Sequence, residues 1–259
     1  MIKEIYTAAL GMQSQITRLE VISNNIANSS TAGYKRASVF ERNLIEVQNN
    51  FNFIPTDVEQ KDPPTGSYFD FSNGAAENTN NPLDLLISGN GFFTLMDEDG
   101  NYFLTRAGNF QISDDGYIVS MDDKKLIGSD VPISLNKDIF ARQSISGDTI
   151  NNTISVAPTG EIFVNNNEIA KLSIVIPENF DALERASNSQ FTIDEETTLI
   201  QINGDKLNIR QGWLEGSNVN IINEMVQMIE LQRMYDAGSK VIQTNDGTLE
   251  KSINMGRFF

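Results

Sequence analysis

The sequence predicts an α+β chain in which long N- and C-terminal helices pair as a coiled-coil-like core and enclose an inserted all-β domain. Three observations predict it. Near each end, apolar residues recur at steps of three and four, the spacing of one helix face. In the middle, short apolar runs alternate with Asp-Gly turns, the signature of hairpins. The third is charge. The 259 residues carry a formal charge of −16, yet both ends are close to neutral and the acidity falls between them.

The first helix is read over the opening 27 residues. Ile2, Ile5, Ala9, Met12, Ile16, Leu19, Ser23 and Ile26 form a heptad seam with one polar member, Ser23. The turn-forming run Asn28-Ser29-Ser30-Thr31-Ala32-Gly33 then stops it. At the other end, Asn218 is the expected cap of a helix running toward the C-terminus. Its seam passes through Ile221, Met225, Met228, Gln232, Tyr235, Ser239, Ile242, Asp246, Leu249 and Ile253. One row of that seam (Ile221, Met228, Tyr235, Ile242, Leu249) is apolar, while polar groups interrupt the other. So long a helix needs apolar partners outside itself, and the first helix is the obvious one.

Between the helices the period changes. Residues 37–82 are Asn-rich, with Asn49-Asn50-Phe51-Asn52-Phe53 and Asp62-Pro63-Pro64-Thr65-Gly66, and read as an extended connector with little core. Strands are expected at 92–96, 102–106, 109–112, 117–120, 154–157, 161–164, 170–176 and 197–202, within a β-rich outer domain of 83–210. Residues 1–36 and 211–259 make up a discontinuous helical assembly domain. Trp213 is expected to anchor the last strand to the second helix.

Composition narrows the chemistry. There is no Cys and no His, which removes disulfides, thiolate metal sites, the usual zinc ligand and the commonest general base. The Asp97/Asp99 and Asp114/Asp115 clusters resemble part of a calcium loop. The twelfth position counted from Asp97 is Gly108 rather than a bidentate Glu, so hairpin turns are expected and no metal or cofactor. Glu41 with Glu46, or the carboxylates at 194–196, are not placed in any pocket by the sequence, and no catalytic residue is assigned. An acidic middle disfavours nucleic acid and anionic lipid. No apolar stretch approaches the roughly 18 residues of a membrane span, and the start, Met-Ile-Lys-Glu-Ile-Tyr, lacks the pattern of a cleavable secretory signal.

Five stretches together resemble the axial proteins of the bacterial flagellum, its rod and hook subunits. They are Tyr6–Met12 with Ser23–Asn28 and Thr31–Arg36; Asn81–Leu85 with Gly89–Phe93; Thr105–Phe110; Gln211–Asn220; and Glu224–Val226 with Ile229-Glu230. The resemblance is weaker in 37–75 and 125–205. It implies a structural subunit, not an enzyme, exported through the flagellar type III apparatus. Such a subunit assembles with its own copies and with neighbouring rod and hook subunits in the periplasmic part of the basal body. The resemblance implies an outer bushing ring as a further candidate partner, without placing its contact; nucleic acid and membrane insertion are not expected. The interval between Arg36 and Gly91 looks short for the FlgG type, which leans the reading toward the FlgF type. The expected assembly interface comprises Ile5, Met12, Ile16, Leu19, Asn24, Asn25, Ile26, Asn28 and Gly33. On the C-terminal side it comprises Asn218, Ile221, Met225, Met228, Tyr235, Ile242 and Leu249. A surface β-domain binding protein on a coiled-coil stalk and a hydrolase on a β scaffold are the competing classes. The first would need a signal or anchor, and the second a catalytic set.

Overall fold

A computed structural model describes residues 2–41, 65–129, 131–135, 154–187, 189–193, 198–202 and 207–256. Within its helices and strands, the side chains of 2–10, 40, 41, 65–67 and 249–256 lie outside that description. The fold is mixed α+β with a β-rich body. It divides into two compact units, one of residues 1–27, 36–70 and 219–259, the other of 28–35 and 71–218.

The first unit holds helix α1 (Ile2–Ala27), helix α2 (Ile221–Gly256, 36 residues) and an antiparallel strand pair, Ala37–Glu41 with Thr65–Phe69. The helices run antiparallel where they meet. Asn25 bonds Glu224 near one end, and Met12 lies where a Cβ on Gly238 would reach, 3.2 Å away, farther along. The cap of α2 is Asn220 rather than the expected Asn218. Asn220 Oδ1 accepts the Asn223 N–H at 3.1 Å, the geometry that an N-cap side chain requires. Asn218 is instead drawn to Ser72, donating from Nδ2 to the Ser72 carbonyl and hydroxyl, each at 3.2 Å.

One row of each expected seam faces inward and the other is displaced by one residue. In α1, Met12, Leu19 and Ile26 are half-buried, but Ile22 and Asn25 are buried where Ser23 is exposed and Ile16 is 43% exposed. In α2, Met228, Tyr235 and Ile242 are half-buried. Leu231 and Glu224 are buried there, while Gln232 is exposed and Met225 is 49% exposed. Stepping back one residue replaces Ser23 by Ile22 and Gln232 by Leu231, which favours apolar burial there, whereas at the other two positions it sets Glu224 inside in place of Met225 and Gln15 in place of Ile16.

In the second unit, strand Phe92–Met96 is central. Tyr102–Thr105 pairs along one side of it, and Gln190–Ile193 and then Leu183–Arg185 extend the sheet beyond. Its other side is shared by Ile174–Pro177, opposite Phe92 and Phe93, and Lys125–Gly128, opposite Leu95 and Met96. Leu199–Ile202 pairs onto Ile174–Pro177. A three-stranded sheet, Ile154–Val156, Glu161–Val164 and Asn167–Lys171, packs into the same core. That core joins Phe93, Leu95, Leu126, Leu135, Ile162 and Ile174, none of them exposed. On the opposite face Phe92 meets Phe71, Phe180 and Phe191, with ring centroids 5.7–6.4 Å from its own. Both faces of the central strand are therefore covered, which explains its continuous apolar run.

Strands also occur where a connector without core was expected. Ala37–Glu41 pairs with Thr65–Phe69, and Ala76–Asn78 pairs with Trp213–Glu215. Their partners lie far along the chain, so local composition could not reveal them. Asn49–Phe53, Asp62–Pro64, Glu46 and 194–196 fall outside the described residues. Trp213 sits in its strand pair with the Arg210 guanidinium 3.9 Å over its ring.

The Asp-Gly turns are built as the sequence suggests. Asp97 accepts the Asn101 N–H at 2.8 Å and the Asn101 Nδ2 at 2.9 Å, with Gly100 at φ 87°. The Asn101 side-chain bond holds the Asp97 carboxyl below its ordinary value. A depressed folded value adds stability above the unfolded pKa that fades as pH falls through the folded one. Asp97→Asn should therefore flatten the acid limb of stability below about pH 4, read as the urea midpoint against pH. Core and surface should also part sharply. Leu95→Ala is expected to lower unfolding free energy by about 2–5 kcal/mol, whereas Met121→Ala, at a residue 66% exposed, should change it by less than about 0.5 kcal/mol.

Candidate assembly interface

The last turn of α1 closes on a side-chain amide. Asn25 is fully buried; its Nδ2 donates to the Ala37 carbonyl at 2.8 Å, and its Oδ1 accepts the Ala37 N–H at 3.0 Å. An amide carries one donor group and one acceptor in the same relation as a peptide, so it can satisfy both backbone groups of one residue. The same Nδ2 lies 3.2 Å from Glu224 Oε2, and Glu224 Oε1 accepts Arg36 Nε at 2.6 Å. Glu224 is 1% exposed. It sits in the first turn of α2, where the helix dipole favours a negative charge.

In the β unit, residues 28–35 form a compact segment. Thr31 N–H donates to the Asn28 carbonyl at 3.1 Å and Tyr34 N–H to that of Thr31 at 3.3 Å, while Gly33 N–H reaches the Glu215 carbonyl at 2.7 Å. Gly33 has φ 67°, and a Cβ there would stand 2.2 Å from the Ala107 nitrogen. Only glycine meets both demands. Tyr34 is 1% exposed, its hydroxyl accepts Arg185 Nη1 at 2.9 Å, and the guanidinium stands 4.5 Å over the ring.

Lys35, Glu215 and Arg106 are buried together. Lys35 Nζ donates to Glu215 Oε1 at 2.6 Å and to the Ser72 carbonyl at 2.7 Å. Glu215 Oε1 also accepts the Gly74 N–H at 3.0 Å, and its Oε2 faces Arg106 Nη1 at 3.7 Å. Arg106 donates to Asn73 Oδ1 at 3.0 Å and to the Ile87 carbonyl at 3.4 Å. Burial lowers the Arg106 pKa, and the charge of Glu215 opposes that shift. Removing one member of such a set leaves a buried charge uncompensated, which costs far more than an exposed pair does.

The structure brings some of the expected interface residues together and leaves others outward. Asn25, Asn28 and Gly33 are buried; Met12, Leu19, Ile26, Met228, Tyr235 and Ile242 are half-buried on the helix faces. Asn24, Ile16, Ile221 and Met225 are exposed, and Asn218 bonds Ser72. The side chains of Ile5 and Leu249 lie outside the described residues. Sequence reasoning missed Asn220, Glu224, Glu215, Arg106 and Arg185 as organising groups. A readable signal was present: the Lys35-Arg36 pair and two Glu residues nine apart at 215 and 224. Among the described residues no group of three or more His, Cys, Asp or Glu could hold a metal ion, and no helix is long and apolar enough to cross a membrane.

Comparison with known proteins gives three family matches in succession. They are the flagella basal body rod protein over residues 5–35, the flagellar hook protein FlgE/F/G D1 domain over 86–205 and the flagellar basal body rod FlgEFG protein C-terminal region over 210–255. The flagellar basal-body rod protein FlgG of Buchnera aphidicola subsp. Schizaphis graminum is 32% identical across 97% of this chain and 98% of its own length. That of Borreliella burgdorferi is 30% identical across 99% of this chain and 100% of its own. The FlgF protein of Rhizobium meliloti is 28% identical across 96% and 95%. The lean toward the FlgF type is thus corrected toward FlgG. The interval after Arg36 does not exclude that type, because FlgG relatives align over nearly their whole length.

Replacing Glu215 by Ala would strand Lys35 and Arg106 without their shared anion. A loss of about 3–5 kcal/mol of β-unit stability is expected, measured by chemical denaturation followed through Trp213 fluorescence. An unchanged midpoint would contradict the role assigned to that buried set.

Proposed function

We propose a function from a plain premise: the chain belongs to the flagellar basal-body rod and hook family, and it is a structural rod subunit of the FlgG type. The subunit polymerises into a helical tube around the export channel, and the tube transmits torque from motor to hook. The terminal helices pair in coiled-coil fashion and form the wall. The partners are copies of this chain, neighbouring rod and hook subunits, the flagellar type III export apparatus that delivers it, and a bushing ring around the periplasmic rod. No catalytic role is assigned.

One observation carries the assembly reading. Ile222, Met225, Val226 and Ile229 line one side of α2 at helical spacing, and each is between 49% and 73% exposed. The row that faces α1 is separate, so α2 carries apolar surface on two sides. A helix in a monomer needs one such face; a second calls for a neighbour. The acidity of the middle of the chain fits a part that stays in solvent.

Charged substitutions test this. Ile16→Asp and Met228→Asp are expected to abolish swimming in soft agar, because a lone charge in a buried assembled seam costs several kcal/mol. Glu168→Ala, at an exposed β position, should leave swimming intact. Terminal cleavage by protease should be rapid in the dilute chain and slow in purified basal bodies. Motile Ile16→Asp cells, or equal cleavage in both states, would sink the assignment.

A further inference from the structure

Residues 72–78 and 213–218 lie together as a strap on the β unit. Ala76–Asn78 pairs with Trp213–Glu215 as a two-stranded sheet of its own, separate from the ten-stranded one. The Gly216 N–H donates to the Ala75 carbonyl at 2.8 Å. A Cβ on Gly74 would stand 1.9 Å from the Gly216 carbonyl oxygen, so backbone lies directly on backbone. Among the strap residues Glu215 alone is buried, and none of them joins the apolar core. A strand pair so short and so exposed is marginal by itself. What ties it to the rest of the unit is a carboxylate. Glu215 meets Lys35 at 2.6 Å and Arg106 at 3.7 Å, and its backbone carbonyl accepts the Gly33 N–H at 2.7 Å. The two cations also reach the strap directly, Lys35 at the Ser72 carbonyl and Arg106 at Asn73 Oδ1. Both are fixed from outside it. Tyr34, next to Lys35, is buried against Arg185, while Arg106 bonds the Ile87 carbonyl and lies over the Phe92 ring.

Ion pairing holds such a strap differently from apolar burial. Apolar contact is lost gradually, in proportion to the area exposed. A buried ion set is favourable only when complete: a member left inside alone is costly, and one that leaves regains its water. Glu215 is therefore either inside with both cations or out in solvent, and the strap goes with it. We propose that Glu215 is a latch. The strap of 72–78 with 213–218 opens and closes as one piece while the sheet around Phe92–Met96 stays folded. Closed, it fixes the chain that leads to α2; open, it leaves that chain loose from residue 213. This device concerns the β unit alone and stands apart from the rod-subunit reading, so the failure of either leaves the other standing.

Native-state hydrogen exchange on the full-length purified chain provides the test, at three amides that the closed strap protects. The Gly33 N–H donates to the Glu215 carbonyl, the Gly74 N–H to the Glu215 carboxylate and the Gly216 N–H to the Ala75 carbonyl. These lie in segments far apart in sequence, so independent local fluctuations would give each its own rate. In urea below the unfolding midpoint, all three should instead show one opening constant with one shallow urea dependence. Amides of 92–96 should exchange far more slowly, with a steeper dependence. Glu215→Gln keeps an acceptor for Gly74 but removes the charge. It should speed all three by about 10- to 150-fold, the contribution of a charged hydrogen bond, and leave 92–96 unchanged. Three unrelated rates overturn the proposal, as does exchange of all three only together with 92–96. A variant that speeds Gly74 alone overturns it too. Should Glu215→Gln fail to fold, the urea series on the unaltered chain decides by itself.

Discussion

A carboxylate taken out of water must be met by cations and donors, and this chain sets that requirement at Glu215 and again at Glu224. Each is at most 2% exposed, and each is answered by one of two adjacent bases. Lys35 bonds Glu215 inside the β unit, and Arg36 bonds Glu224 inside the helical unit. One boundary between the units falls between these two bases, at 35/36. The segment 28–35, which the sequence attaches to the first helix, folds with the β unit because Tyr34 and Lys35 are buried there and Gly33 donates to Glu215. Ala37 returns to the helical unit because Asn25 holds both of its peptide groups.

The parts of the fold legible in the sequence are those governed by local rules. Seam spacing located both helices, and Asp-Gly turns located the hairpins around Asp97 and Ser113. What the sequence concealed depends on distant partners. Ala76–Asn78 is a strand only because Trp213–Glu215 lies beside it, and nothing in Ala-Glu-Asn announces a strand. Lys35 and Arg36 looked like one basic step in a motif, and only the fold sends them to different anions. The one-residue displacement of the second seam row has the same origin. Heptad reading rewards the best average stripe, but Ile22 and Leu231 win burial over Ser23 and Gln232 once a real neighbour is present.

The family resemblance contributed what physics alone could not, the identity of the assembly. Composition disfavours metal and thiol chemistry, and periodicity gives the helices, yet neither names a flagellum. Conversely, family membership says nothing about why Asn25 must be an amide. Its donor and acceptor both engage Ala37 while a third contact reaches Glu224, and aspartate in its place would lack the donor that the Ala37 carbonyl and Glu224 share.

The polar interruptions in the expected second row of α2 acquire a meaning from this geometry. Had Met225, Gln232, Ser239 and Asp246 faced α1, the pair would have buried an amide, a hydroxyl and a carboxylate with little to bond them. The displacement turns Gln232 and Asp246 to solvent and leaves Glu224 as the buried carboxylate, met by Asn25 and Arg36. It also turns Met225 outward to join Ile222, Val226 and Ile229 in one exposed apolar row over the first turns of α2. That row lies next to the Asn25–Glu224 network, a fully bonded part of the helical unit. A contact surface built on a well-bonded stretch loses least conformational entropy when a neighbour docks, which supports the proposal that subunits meet at the start of α2.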